Sequence, residues 1–168
     1  MTSEVTITLR VNGRPVTASV PARMTLADFV RDRLRLTGTH LGCGQGLCGC
    51  CNVLLDERSV RACLLLAVQA DGKDVVTVEG ISAATDFDDH SSIAGCLVRH
   101  HALQCGFCTP GFVVLLAELL AEVDRGARPA PAELRTRLAG CLCRCTGYAP
   151  ILAAAEELVA AKIVECSR

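Results

Sequence analysis

A chain of 168 residues in which 51% of the side chains are apolar can form one ordinary domain or two small ones. Its 17 Lys and Arg against 18 Asp and Glu, no Trp, four Phe and one Tyr exclude the basic, ring-bearing face that a nucleic-acid reader needs. No uncharged apolar run of about 18 residues occurs, and "MTSEVTITLR" lacks the basic start and apolar run of a secretory signal, so a soluble, cytoplasmic chain without a membrane span is expected.

The first half reads as strands and one helix. Val5, Ile7 and Leu9 alternate with Thr6, Thr8 and Arg10, and Asn12-Gly13 is a hairpin turn signal leading into a second strand, "RPVTASV". Thr25 with Asp28 resembles a capping box and opens a helix, "LADFVRDRLRL", whose Leu26, Phe29, Val30 and Leu34 share one face. A loop rich in Gly and Cys follows over 42–51, then "NVLLD" and "DVVTVEG" as two further strands. A hairpin, a crossing helix and additional strands predict a small α+β domain over residues 1–80.

The composition then shifts. The polar, acidic stretch "ISAATDFDDHSS" predicts a linker over 81–91. Beyond it the pattern is helical, over 92–102, 111–124, 131–139 and 149–164, so residues 92–168 form a second, helical domain. Thr109-Pro110 reads as a helix start, a cap residue with proline at the first helical position, and "DRGARPAP" separates two of the helices. Units this small seldom bury enough core to fold firmly alone, and a metal centre in each would stabilise them.

Twelve cysteines are the anomaly of the composition. A reducing cytosol does not sustain structural disulfides, and thiols clustered at short fixed spacing point instead to metal or redox chemistry. Cys43-x4-Cys48-x2-Cys51, with Cys63 after eleven intervening residues, is the spacing of plant-type [2Fe–2S] ferredoxins. Two irons with two bridging sulfides need four thiolates converging from a loop that wraps closely. Gly42, Gly44, Gly46 and Gly49 let the backbone turn its N–H groups toward the sulfurs. Zinc is the alternative, but its commoner pattern is two C-x2–4-C knuckles, which this spacing does not supply.

The second set, Cys105-x2-Cys108 with Cys141-x-Cys143-x-Cys145, is less specific and suits either zinc or an iron–sulfur cluster. His40, His90, His100 and His101 do not alternate with cysteines as ligand pairs, which argues against a Rieske-type site and leaves His100 and His101 as helix-surface residues. "GCGQG" fails the G-x-G-x-x-G spacing of a nucleotide loop.

Three stretches, "GCGQGLCGCCNVLLD", "LQCGFCTPG" and "CRCTGY", resemble in this order the signatures of the iron–sulfur subunit of molybdenum hydroxylases, the family of xanthine dehydrogenase and aerobic carbon monoxide dehydrogenase. The resemblance spans nearly the whole chain. It implies an α+β chain, an N-terminal ferredoxin-like β-grasp domain followed by a C-terminal four-helix bundle domain, with one [2Fe–2S] cluster in each. It also implies Cys43, Cys48, Cys51 and Cys63 as ligands of the N-terminal cluster, and Cys105, Cys108, Cys143 and Cys145 as ligands of the C-terminal one.

The family usually has Ala at position 50 and Asn at 141; both are Cys here, and neither is expected to ligate. Cys96 and Cys166 match no motif and are read as packing residues or as residues without a role. Gln104 matches a glutamine that hydrogen-bonds the pterin cofactor of the large subunit, the alternative being a helix-end amide bonded to local backbone. Arg144, between two ligands, offsets cluster charge or forms an ordinary surface salt bridge. Tyr148 is expected to pack its ring with the hydroxyl bonded.

No Ser/His/Asp set, open metal site or paired acids stand out, and eight cysteines on two clusters leave the irons no vacancy for substrate. The expected role is electron transfer inside a larger oxidoreductase. Single electrons would pass through the two clusters between a molybdenum–pterin centre on a large subunit and FAD on a medium subunit, the assembly being a dimer of heterotrimers. Counting valences, two oxidised clusters on eight thiolates add roughly four negative charges to the formal −1, which favours partner surfaces that offset them. A free-standing ferredoxin-type carrier is the alternative function. Apolar surface around 104–112 and 143–150 would favour the subunit, and an exposed acidic patch on a stable monomer the free carrier.

Overall fold

The computed structural model describes residues 3–83 and 92–167. Strands β1 (Glu4–Val11) and β2 (Arg14–Pro21) pair antiparallel with Val11 opposite Arg14, so only Asn12 and Gly13 make the turn. Both take positive φ, 50° and 77°, the primed turn geometry whose twist matches that of the flanking strands. Ile7, Leu9 and Val11 face inward and are buried, whereas Val5, two residues before Ile7, is exposed near the start of the strand.

Helix α1 (Leu26–Asp28) is capped by Thr25, whose hydroxyl accepts the Asp28 N–H at 3.0 Å. It runs directly into a π-helical turn, Phe29–Arg33, closed by the Leu34 N–H on the Phe29 carbonyl at 3.2 Å. The expected helix is therefore shorter and wider than a regular α-helix. It still buries the face expected of it, since Leu26, Ala27, Phe29 and Val30 join Ile7, Leu9 and Val20 in one core.

A second hairpin, β3 (Asn52–Leu55) and β4 (Arg58–Arg61), includes a strand that the sequence reading missed. Its two-residue turn is Asp56-Glu57, with φ of 47° and 67°, and no glycine marks it. Asp56 holds the turn by accepting from Lys73 Nζ at 2.7 Å and from the Asp74 N–H at 3.0 Å. After a 3-10 turn at Ala67–Ala70, β5 (Asp74–Val76) enters between the hairpins, parallel to β1 and antiparallel to β3. The sheet order is β2-β1-β5-β3-β4. β5 ends before the expected strand does because the Thr77 N–H turns onto Asn12 Oδ1, at 2.9 Å, and helix α2 (Val78–Ala83) begins. Of the expected linker, residues 81–83 form the last turn of α2 and 84–91 lie outside the described residues.

The second half contains α3 (Ile93–Arg99), α4 (Thr109–Asp124), α5 (Pro131–Leu138) and α6 (Ala149–Glu165), close to the expected helices. Thr109 is the first helical residue of α4 and the cap is Cys108, so Pro110 sits one position further in than expected. It remains inside the first turn, where no backbone N–H is needed. Leu97, Phe112, Leu116, Leu119, Leu138, Ile151 and Leu158 form a second core between these helices. α4 also lies across β3 and β4, where the Ser59 N–H donates to Glu118 at 3.1 Å and Arg58 pairs with the same carboxylate at 3.3 Å. No helix among the described residues is long and apolar enough to cross a membrane.

Candidate metal centres

The first set of thiols is assembled by a loop and a hairpin. In the loop, Cys43 Sγ accepts the N–H groups of Gln45 at 3.3 Å and Cys48 at 3.4 Å. Those bonds, the one from Gln45 foremost, hold the Cys43 thiol down at about 6. Gly46, at φ 75°, leaves room for Leu64, since a Cβ there would meet Leu64 Cδ1 at 2.2 Å. Cys51 precedes β3 and Cys63 follows β4. The Asn52–Arg61 pairing and the Ala62 N–H on the Cys51 carbonyl, at 3.2 Å, bring Cys63 back beside Cys51. Burial pushes the Cys51 thiol up to about 11, with the adjacent Cys63 contributing. Cys43 thus neighbours Cys48, Cys48 neighbours Cys51, and Cys51 neighbours Cys63.

The second set joins the loop before α4 to the loop before α6. Cys105 and Cys145 lie with their sulfurs 3.6 Å apart, both exposed, while Cys108 and Cys143 adjoin one another further in. Burial, with Cys143 nearby, pushes the Cys108 thiol up to about 12. Burial is the largest single influence on Cys143 and raises it, but hydrogen bonds with Thr146, whose Oγ1 is 3.2 Å from the sulfur, with the Cys145 backbone and with Cys108 together lower that thiol below its ordinary value. Tyr148 fixes the loop: its hydroxyl accepts the Cys143 N–H at 3.0 Å and donates to the Cys141 carbonyl at 3.1 Å, and its ring meets Phe112 edge-on. Four thiols with N–H donors aimed at sulfur are what a [2Fe–2S] group requires, and each half provides such a gathering.

The two extra thiols lie in the seam between the sets. Cys50 and Cys141 are buried next to one another, both pushed up chiefly by burial, Cys50 to about 12. Around them the two halves meet almost backbone to backbone. A Cβ on Gly49 would lie 2.3 Å from the Gly140 carbonyl oxygen, and one on Gly111 would lie 2.6 Å from that of Gly49. Arg61 donates to Asn52 and to the Gly140 carbonyl, and Asn52 Nδ2 donates to the Gly111 carbonyl at 3.4 Å. His40 stacks on Phe107, centroids 4.8 Å apart, with Nδ1 2.8 Å from its carbonyl oxygen. Asn52 and Arg61 were not singled out from sequence, nor was the contact of His40 with Phe107, because the bonds that cross the seam join residues 59 to 79 positions apart.

Gln104 is exposed beside Cys105, and its amide has no hydrogen-bond partner among the described residues; Arg144 is exposed and forms no ion pair there. His101 is exposed as expected, whereas His100 is only partly so and bonds Glu157. Cys96 is buried between α3 and α6, and Cys166 is exposed at the end of α6.

A sheet half and a helical half, each gathering four cysteines in N–H-rich loops, define an iron–sulfur electron-transfer protein. The comparisons agree. Residues 9–76 match the 2Fe-2S iron-sulfur cluster binding domain, and residues 77–156 a further family described as the [2Fe-2S] binding domain. The chain is 47% identical to the nicotine 6-hydroxylase small subunit of Paenarthrobacter nicotinovorans, over 89% of this chain and 87% of that protein. It is 42% identical to caffeine dehydrogenase subunit gamma of Pseudomonas sp. (strain CBB1), over 94% and 92% respectively. Its fold superposes on quinoline 2-oxidoreductase from Pseudomonas putida 86 with a TM-score of 0.85 and 42% identity, covering 96% of this chain and 97% of that one. The chain belongs to the iron–sulfur small subunits of the molybdenum hydroxylases, the xanthine dehydrogenase family.

Proposed function

We propose that Cys43, Cys48, Cys51 and Cys63 hold one [2Fe–2S] cluster, that Cys105, Cys108, Cys143 and Cys145 hold a second, and that the chain carries single electrons between a molybdenum–pterin centre on a large partner subunit and FAD on a medium one. The bound clusters supply the one-electron chemistry; the chain supplies thiolates, N–H donors and a fixed separation between the two sets. On this reading a β-grasp unit is followed by a four-helix unit, and α2 packs Val78 and Ile81 against the core of the latter. The assembly is a cytoplasmic dimer of heterotrimers. Gln104, whose side-chain amide has no hydrogen-bond partner among the described residues, is available to the pterin of the large subunit.

The observation that carries the subunit reading over the free carrier is apolar surface beside both sets. Phe107, within the expected stretch 104–112, is 45% exposed beside Cys108; the expected stretch 143–150 exposes no large apolar side chain, but Leu142 just before it is 56% exposed and Leu47, next to Cys48, 71%. Apolar groups gathered like this mark an interaction face. The test is anaerobic affinity purification from the native cell, with mass spectrometry of copurifying chains and metal and flavin analysis. Two further polypeptides, one with molybdenum and one with flavin, are expected. An iron-loaded monomer that brings down neither would overturn the subunit reading in favour of the free carrier.

A further inference from the structure

The helical half contains a second kind of donor cluster, separate from both thiol sets. Cys96 and His100 are four residues apart at the end of α3, so they share one helix face. Glu157 reaches them from α6. The Cys96 sulfur, a ring nitrogen of His100 and a Glu157 carboxylate oxygen all lie within 4.8 Å of one another. We propose that these three side chains bind one divalent transition-metal ion, zinc foremost, which clamps α3 to α6.

The chemistry of the donors selects the ion. A thiolate, an imidazole and a carboxylate are the ligand types of zinc, and three of them leave a fourth tetrahedral position for water. An ion-pair cluster accounts for part of the arrangement: Arg99 pairs with Glu157 Oε1, and His100 Nε2 lies 2.6 Å from Glu157 Oε2. It does not account for a thiol at 0% exposure turned to the same place, whose Sγ–H now donates to the Ala154 carbonyl at 3.5 Å. Burial and the Glu157 charge both raise the Cys96 thiol, and a dication beside it reverses both effects. The C-terminal end of α3, the negative end of the helix dipole, also favours positive charge. Binding replaces a proton. The Cys96 thiol loses its hydrogen as a proton, His100 takes the tautomer that leaves Nε2 without one, and the resulting thiolate together with the Glu157 carboxylate balances the charge of the ion. Arg99 keeps its oxygen of Glu157, leaving Oε2 for the metal.

This site uses none of the eight cysteines assigned to iron, so it stands apart from the electron-transfer reading. The test takes the full chain, purified anaerobically with its iron, equilibrates it with micromolar zinc, desalts it and measures zinc and iron together. X-ray absorption at the zinc edge then counts the sulfur neighbours. One zinc per chain is expected, with iron unchanged and a single sulfur among nitrogen and oxygen ligands. His100→Gln at a partly exposed position and Glu157→Gln at an exposed one should each lose that equivalent; Cys96→Ser should do so too, but its buried site makes it the less safe variant. Equal zinc in wild type and His100→Gln would overturn the proposal, as would zinc ringed by four sulfurs with iron displaced. A chain that arrives without iron would count against the iron–sulfur reading alone. The zinc site would still be read from the difference of one equivalent between wild type and His100→Gln.

Discussion

The Leu142 N–H donates to the Cys48 carbonyl at 2.7 Å, and this bond ties the backbone of the first thiol set to that of the second. Leu142 precedes Cys143, so the link runs from one proposed ligand to the neighbour of another. With the Gly49–Gly111 approach and the Arg61 bonds around it, it fixes how far apart the two sets lie.

Gly111→Ala tests that seam. The added methyl would stand 2.6 Å from the Gly49 carbonyl oxygen and 2.9 Å from Cys141 Sγ, in a core that has no slack to offer. Overpacking of this kind costs about 1–3 kcal/mol. For a chain of this size that is a fall in the thermal midpoint of roughly 2–12 °C. Circular dichroism melts would show it, and an unchanged midpoint would mean the halves are not packed as described.

The thiol register is separable by substitution. Cys50→Ala and Cys141→Asn should keep four irons and four sulfides per chain, since on the proposed reading neither sulfur ligates. Cys51→Ser should lose the pair of irons in the sheet half first, and Cys143→Ser the pair in the helical half. Iron and sulfide analysis with electron paramagnetic resonance of the reduced protein reads both. Loss of iron in Cys50→Ala with retention in Cys51→Ser would reverse the assignment.

Tyr148→Phe removes a hydroxyl that bonds the Cys143 N–H and the Cys141 carbonyl. Leaving a buried backbone group unpaired costs about 1–3 kcal/mol, and here two partly buried ones lose their partner. The loop that carries Cys143 and Cys145 should loosen, so iron is released to a chelator faster from the helical half while release from the sheet half is unchanged. Equal release rates from both halves would contradict the role given to Tyr148.

Cys43 should stand out by its titration. The Gln45 and Cys48 N–H groups hold its thiol at about 6, so on the iron-free chain it is protonated and slow below that pH and a thiolate above it. Alkylation by iodoacetamide at Cys43, followed by peptide mass spectrometry, should reach half its plateau near pH 6. Cys50 and Cys108, both pushed up to about 12 by burial, should stay unlabelled at neutral pH. A Cys43 midpoint at the ordinary value near 9 would mean that the loop does not present its N–H groups to the sulfur.

Much of this was legible in the sequence where a local rule governs the outcome. Asn12-Gly13 demands a primed turn and forms one, and Pro110, Pro131 and Pro150 each fall in the first turn of a helix. The hairpin β3–β4 was only half visible, because its Asp56-Glu57 turn is held from outside by Lys73 and Asp74 rather than by a turn residue of its own. The seam was invisible for the same reason: His40, Asn52 and Arg61 work only through partners that the fold brings near. The pairing of Cys96 and His100 was open to inspection as an i, i+4 repeat. Nothing short of the α3–α6 packing supplies Glu157 as the third donor.

The hairpin that returns Cys63 to Cys51 also sets a schedule for synthesis. At about 5–20 residues per second the ribosome delivers Cys63 within roughly 1–2 s of Cys51, and β3 and β4 can pair at once. Cys105 and Cys108 have no such neighbour. Their counterparts Cys143 and Cys145 emerge only after α4 and α5 have been made, about 2–7 s later. For that interval half a site stands open to any thiol-seeking ion. The helical half is therefore the place where the order of metal delivery matters most.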